Sequence, residues 1–382
     1  MLKSSLLGST ILAGMIVFSG AASAGSVGAG SSMFVKMGGT FRHHLAMQSQ
    51  DIREGYTRGY ALNVDEAELK ISASNKSDNG IKYGITVELN VNTTDTKAAD
   101  EVYAYLKGDF GQVVMGDQDD VTDKMAIGGH KVLVGRAGFD GDVADYFNFG
   151  SGGTIDGPGV DETSDATKIS YFSPRVNGFQ FGVSHTPDDG ASGSSFGEKD
   201  NDGDYENIWG VGGNYSGKFS GMKVKLSATY EFGESESKTG AKTEGDLSTI
   251  SIGGSVTSNG FGFAAGFADF GDKGQSNSNI ALGEDSGSHW SVGASYANGP
   301  YAISAGYFAS EKAQPSGSGS DTTVDIISLD GQYKVAPGYT VAASINFVEA
   351  KNINGTSAEV DNEGTVVILS NIFNSNQYLV LI

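Results

Sequence analysis

Beyond Gly25, apolar side chains recur at every second position through most of the chain. In ISYFSPRVNGFQFGVSH, residues 169–185, Ile169, Tyr171, Phe179, Phe181 and Val183 share one phase, and Ser170, Gln180, Gly182 and Ser184 share the other. In MKVKLSATYEF, Val224, Leu226, Ala228, Tyr230 and Phe232 oppose Lys223, Lys225, Ser227, Thr229 and Glu231. YTVAASINF, residues 339–347, repeats the rule. A period of two is the signature of a strand with two different faces. Seven short turns punctuate the pattern, at 76–80, 108–111, 173–178, 216–221, 257–260, 297–300 and 334–338, and all contain Gly. Four contain Asn-Gly, the strongest short hairpin signal. Longer polar connections alternate strictly with them, the longest at 119–165. The spacing predicts an all-β fold, an antiparallel up-and-down β-barrel of about sixteen strands, an even number as closed barrels require.

Alternation alone does not say which solvent lies on each face, since a soluble sandwich shows it too. Aromatic placement separates the two. Tyr83, Phe179, Tyr215, Phe261, Tyr296, Tyr301, Tyr333 and Tyr339 stand beside the tight turns in phase with the apolar face, and Trp209 and Trp290 begin strands that descend from long loops. Rings at both ends of an apolar band form a membrane girdle, whereas a soluble core places its aromatics mid-strand. The greasy face therefore meets lipid and the polar face meets water inside the barrel. Closure satisfies every backbone group, which an open sheet in lipid does not. Gly182, Ser184, Ser227, Gly266, Ser304, Gly306 and Ser344 fall on the water phase. Their small size is expected to leave the lumen open.

The N-terminus changes the picture next. Lys3, the apolar run Leu6 to Phe18 and the small-residue site Ala22-Ser23-Ala24 form an export signal, residues 1–24, preceding a barrel domain at 25–382. The chain has 382 residues, 57 Gly and no Cys, so disulfides do not hold it. A formal net charge of −21 argues against nucleic-acid binding, which wants a basic stripe.

Four stretches, YFSPRVNGFQFG, EVYAYLKGDFGQVVMGDQ, KSDNGIKYGITVELN and NEGTVVILSNIF, resemble the trimeric general diffusion porins of Gram-negative bacteria, and the likeness covers nearly all of the chain after the signal. The resemblance implies a sixteen-stranded outer-membrane barrel, a homotrimer embedded in lipid and lipopolysaccharide, and delivery by the outer-membrane assembly machinery. It implies passive diffusion of ions and small hydrophilic solutes through a water-filled channel. It also implies that 119–165, as the third long loop, folds into the lumen and narrows it. Such porins usually end on an aromatic residue read by the assembly machinery; here either Phe373, at the end of a good last strand, is that signal and residues 374–382 are a tail, or the chain ends unusually on Ile382. A substrate-specific channel for a sugar or other solute, and a surface-binding barrel with a plugged lumen, stay open as alternatives.

Within 119–165 stand ten acidic residues against Lys124, Lys131 and Arg136. Asp119, Asp120, Asp140, Asp142 and Asp145 are the candidate acids of the constriction, with Phe139, Tyr146, Phe147 and Phe149 expected to dock the loop on the wall. By resemblance the facing wall is basic, and the water-phase candidates are Arg42, His44 and Lys70. That basic set is thin, so a cation preference is expected. Asp200, Asp202 and Asp204 in the fourth long loop resemble the start of a Ca2+ loop, but position six is Tyr205 instead of Gly. A solvated acidic loop is the first reading there and a divalent-ion site the second; no other cofactor is expected. No H-E-x-x-H or G-x-S-x-G motif appears, and the chain does not read as an enzyme.

Overall fold

The computed structural model describes residues 33–375 except 56, 93–98, 136–138, 140–141, 151–159, 161, 191–202, 238–241, 313–320 and 355–359. The described residues form sixteen strands: β1 (Phe34–Gln50), β2 (Tyr60–Lys76), β3 (Lys82–Asn90), β4 (Val102–Gly108), β5 (Gly111–Asp117), β6 (Thr167–Phe172), β7 (Phe179–Asp188), β8 (Tyr205–Phe219), β9 (Met222–Ser235), β10 (Leu247–Ser258), β11 (Phe261–Asp269), β12 (Ser288–Asn298), β13 (Tyr301–Lys312), β14 (Thr322–Ala336), β15 (Tyr339–Lys351) and β16 (Asn362–Ser375). Each pairs antiparallel with its sequence neighbours, and β1 pairs β16 from Gly39↔Ser375 to Gln50↔Gly364, which closes the barrel. The strand count and closed topology are those the pattern predicts. The last strand continues two residues past Phe373, so Asn374 and Ser375 belong to the wall.

Turn chemistry explains the hairpins. Asn177-Gly178 and Asn259-Gly260 have φ of 50° and 91°, and 49° and 86°, at their two central positions. Two successive positive φ values define the turn whose twist matches the flanking strands, and Asn-Gly adopts it at least cost.

The two faces divide as the alternation predicts. Phe179, Phe181, Leu226, Ile252, Phe263 and Ile303 project outward and are exposed. At the tight-turn end, rings meet across strands: Phe179 on Tyr215, Phe261 on Tyr296 and Tyr301 on Tyr333, with centroids 4.9, 4.6 and 5.0 Å apart. At the long-loop end Trp209 meets His185 at 4.5 Å and Trp290 meets Tyr307 at 4.9 Å. These are the two girdles.

The inner face departs from expectation in one sector. On β13 to β16, Phe308, Val324, Ile326, Val348, Val366 and Ile368 are all buried and point inward. The reason is the connection between β5 and β6, which covers them.

Candidate functional site

Described residues between 118 and 166 pack against the inner wall. The connection starts with a short helix, α1 (Val121–Met125), held by Asp120 as its N-cap. Asp120 accepts hydrogen bonds from the backbone N–H groups of Thr122 and Asp123, and its second oxygen accepts from Ser184 Oγ on β7 at 3.0 Å. A capping carboxylate satisfies helix N–H groups that otherwise lack partners. Asp120 is 1% exposed, so it fastens the loop and does not present charge to the lumen.

Small wall residues receive the helix and the backbone beyond it. Val121 and Met125 sit over Gly182, where a Cβ would come within 2.8 and 3.0 Å of their side chains. Gly129 N–H donates to Ser291 Oγ on β12 at 2.9 Å, and Val134 N–H donates to Ser304 Oγ on β13 at 2.9 Å. The small inner residues therefore seat the loop instead of keeping the lumen wide: Gly266 and Ser304 meet its backbone, and Gly182, Ser184 and Gly306 meet its side chains. Ser304 is held in turn by Asp330, a buried carboxylate that also accepts from Ser328 and Ser344, at 2.7, 2.8 and 2.6 Å respectively. Nothing in the local sequence marks Asp330, because its three hydroxyl partners come from three strands.

Phe139, Val143, Phe147 and Phe149 then fill the inner surface of β13 to β16. Phe139 stacks on Phe308 with centroids 5.6 Å apart, and Phe147 tilts against Phe149 at 4.8 Å. The aromatics dock the loop, and the inward-facing apolar patch is their receptor.

Beside this cluster, Tyr146 reaches β1 and β2. Register between these strands passes from Arg42↔Glu66 to His43↔Val64, so Asp65 is an extra residue in a bulge. The bulge turns Asp65 onto Arg42 at 2.8 Å, with His44 Nδ1 3.5 Å away. Arg42 also reaches Glu66 at 3.4 Å. Tyr146 Oη lies 3.1 Å from His44 Nδ1 and donates to Asn63 Oδ1 at 2.7 Å. Arg42 is 4% exposed and His44 0%. The expected basic wall is thus folded into a buried network, with the guanidinium balanced by two carboxylates. Lys70 does face the lumen, in a recess of about 600 Å³ lined with Lys36, Thr40, Glu68, Ser72 and Thr86, but it is ion-paired to Glu88.

Asp145 is exposed beside this network. Loss of water on one side and the charge of Asp65 push its carboxyl above the usual range, with Arg42 opposing. Asp119 lies with Glu101 and Asp165 at the root of the connection, their oxygens within 4.8 Å of one another. Lys124 Nζ stands 3.7 Å from Glu101 and 3.8 Å from Asp119. Burial, then Asp119, Asp100 and Glu101, raise Asp165 to about 6. The Lys168 ammonium, buried beneath, is held by the carbonyls of Gln118, Thr163 and Ser164 and so ties the two ends of the connection together. Asp142 begins a short 3-10 turn ending at Asp145, and Asp140 lies outside the described residues.

In the fourth long loop, Asp204 groups with Asp188 and Asp189, oxygens within 4.8 Å. Asp200 and Asp202 lie outside the described residues. The carboxylates gathered around Asp204 thus come from the end of β7 and the residue after it, which linear spacing does not reveal.

The closed sixteen-stranded antiparallel barrel is matched by comparison with known proteins. The Gram-negative porin family covers residues 8–353. The chain belongs to that family. A solved anion-selective porin from Comamonas acidovorans superposes with a TM-score of 0.60 at 16% identity, covering 89% of this chain and 99% of that one. The trimer form of OmpT, an outer membrane protein of Vibrio cholerae, gives 0.60 at 14% identity, covering 90% and 100%. At such identities the likeness shows the fold. An uncharacterized protein of Rickettsia typhi is 21% identical over 375 residues, covering 75% of this porin and 83% of the relative. Another, from Rickettsia bellii, is 25% identical, covering 72% and 76%. Family and fold point to a channel and not to an enzyme.

Proposed function

We propose that this porin resides in the outer membrane as a homotrimer, after export on residues 1–24. There it forms a water-filled channel for passive diffusion of ions and small hydrophilic solutes, with a cation preference. The observation that carries the cation preference is the fate of the charges. Arg42 and His44 are buried against Asp65, and Lys70 is paired with Glu88. Glu66, the second acid on Arg42, and Glu68, Glu101, Asp119 and Asp145 remain on the inner wall or the loop, with Lys124 beside Glu101 and Asp119 and Lys36 in the recess that holds Glu68. Asp140 and Asp142 extend the acidic set in this reading. Rings of carboxylates in a pore raise the local concentration of cations and exclude anions.

The test is the reversal potential across a lipid bilayer under a potassium chloride gradient. Wild type should prefer potassium, and the quadruple variant Asp119→Asn, Asp140→Asn, Asp142→Asn, Asp145→Asn should shift toward zero. A chloride preference in wild type would refute the charge argument. An unchanged potential in the variant would move the filter to Glu66, Glu68 and Glu101.

A further inference from the structure

The Ile127 carbonyl oxygen lies over two glycines that face each other across the wall, Gly253 on β10 and Gly266 on β11. A Cβ on Gly253 would overlap that oxygen, and one on Gly266 would stand 2.6 Å from it and 2.8 Å from Gly128 Cα. Gly293 on β12 and Gly306 on β13 form a second opposed pair. A Cβ on Gly293 would overlap the Gly129 carbonyl oxygen, and one on Gly306 would stand 2.6 Å from the Phe139 ring. Ser291, register partner of Gly266, accepts from Gly129 N–H between the two pairs.

None of the four glycines has a positive φ, so none is required by its backbone conformation. Glycine inside a strand weakens it and is retained where another backbone comes close. At Gly253, Gly266 and Gly293 the close backbone is visible and belongs to the loop; at Gly306 the close atoms are the Phe139 and Leu133 side chains of the same loop. The wall is unable to retreat, because each of these strands is hydrogen-bonded on both sides. The loop is fixed upstream at Asp120 and Ser184, and downstream by the Phe139 to Phe149 cluster. An added methyl at Gly253, Gly266 or Gly293 therefore has one outlet: residues 127–129 move away from the wall, toward the barrel axis.

We propose that the pairs Gly253–Gly266 and Gly293–Gly306 are positioning residues that set the free cross-section of the channel by seating the loop flat on the wall. The proposal rests on the channel reading above. Its prediction is graded by geometry. Gly253→Ala drives a methyl into the Ile127 oxygen, Gly266→Ala forces a smaller shift, and Gly213→Ala places a methyl where nothing lies within 4 Å.

The experiment measures unitary conductance of the purified full chain in planar bilayers, with heat-modifiable migration on detergent gels as the readout of the wall. Gly213→Ala should conduct as wild type. Gly266→Ala should conduct less, and Gly253→Ala least, roughly twofold below wild type as the constriction closes in, all with unchanged gel shifts. If Gly253→Ala does not assemble, Gly266→Ala carries the test. Wild-type conductance in both Gly253→Ala and Gly266→Ala overturns the proposal. So does failure of both to assemble while Gly213→Ala does, since the pairs would then serve the wall alone. A silent wild type overturns the channel reading and this proposal with it, whereas a conducting wild type matched by both variants overturns only the seating.

Discussion

Neighbouring residues on one strand meet opposite solvents, and Phe181 and Gly182 show what that entails. Phe181 is 51% exposed on the outer face, while Gly182 lies under Val121 and Met125. Arg on the lipid face costs about 2–4 kcal/mol at mid-depth and less near a rim. Phe181→Arg should therefore lower the yield of folded barrel in lipid, read as loss of the heat-modifiable band. Gly182→Arg should fold, but with α1 displaced, read as altered conductance. Equal loss of folding in both would show that the faces are misassigned. Asp165 supplies a second prediction at this scale. Its carboxyl is raised from 3.8 to about 6. A raised acid binds its proton more tightly when folded, so folding stability falls as pH rises from about 4 to 6 and is level beyond. The same proton removes a negative charge at the loop root below pH 6. Cation preference should decline as pH drops from 7 to 5, and Asp165→Asn should flatten that step. A step of unchanged size in the variant would assign it to another group.

The element that decides the lumen is the connection between β5 and β6, and its hold on the wall has three parts. A capped helix is tied to β7, a backbone run lies on glycine, and aromatic side chains fill an apolar patch on β13 to β16. Phe147 is 1% exposed in that patch. Removing a buried Phe side chain costs about 3–5 kcal/mol. Phe147→Ala should release that cost on the loop and leave the wall intact, because wall strands are held by their own ladders. The expected result is noisier single-channel current with normal gel migration. Quiet wild-type current would mean that the glycine and serine contacts suffice without the aromatic patch. The same logic explains why β13 to β16 carry inward Phe308, Ile326 and Ile368: a greasy patch inside a water-filled barrel is stable only when covered.

At the scale of the whole molecule, closure of β1 on β16 leaves no free edge and makes the wall one hydrogen-bonded ring. Such a ring resists detergent while its ladders stand, and heating breaks them together. The barrel should migrate on detergent gels as a compact trimer before boiling and as an extended monomer band after it. Migration as a monomer under both conditions, without lipid dependence, would oppose the homotrimer in the outer membrane.

Strand number, turn positions and the division of faces were all written in the chain, because each depends on residues one or two positions apart. A period of two sets a strand's faces, and Asn177-Gly178 or Asn259-Gly260 sets a hairpin, with no knowledge of what packs where. The docking role of Phe139, Tyr146, Phe147 and Phe149 was legible too, as aromatics in an otherwise acidic loop. The use of the inner wall was not. A glycine or serine on the water phase reads the same whether it faces open solvent or the loop backbone, and only tertiary structure tells Gly253, under Ile127, from a position that leaves space. Arg42 reads as a free cation until the bulge brings Asp65 beside it, and Asp120 reads as a pore acid until Ser184 and α1 claim its oxygens. These assignments turn on contacts between residues 23 to 162 positions apart. Charge in a channel acts through what remains unpaired, and pairing over such separations is decided by closure of the barrel and not by order along the chain.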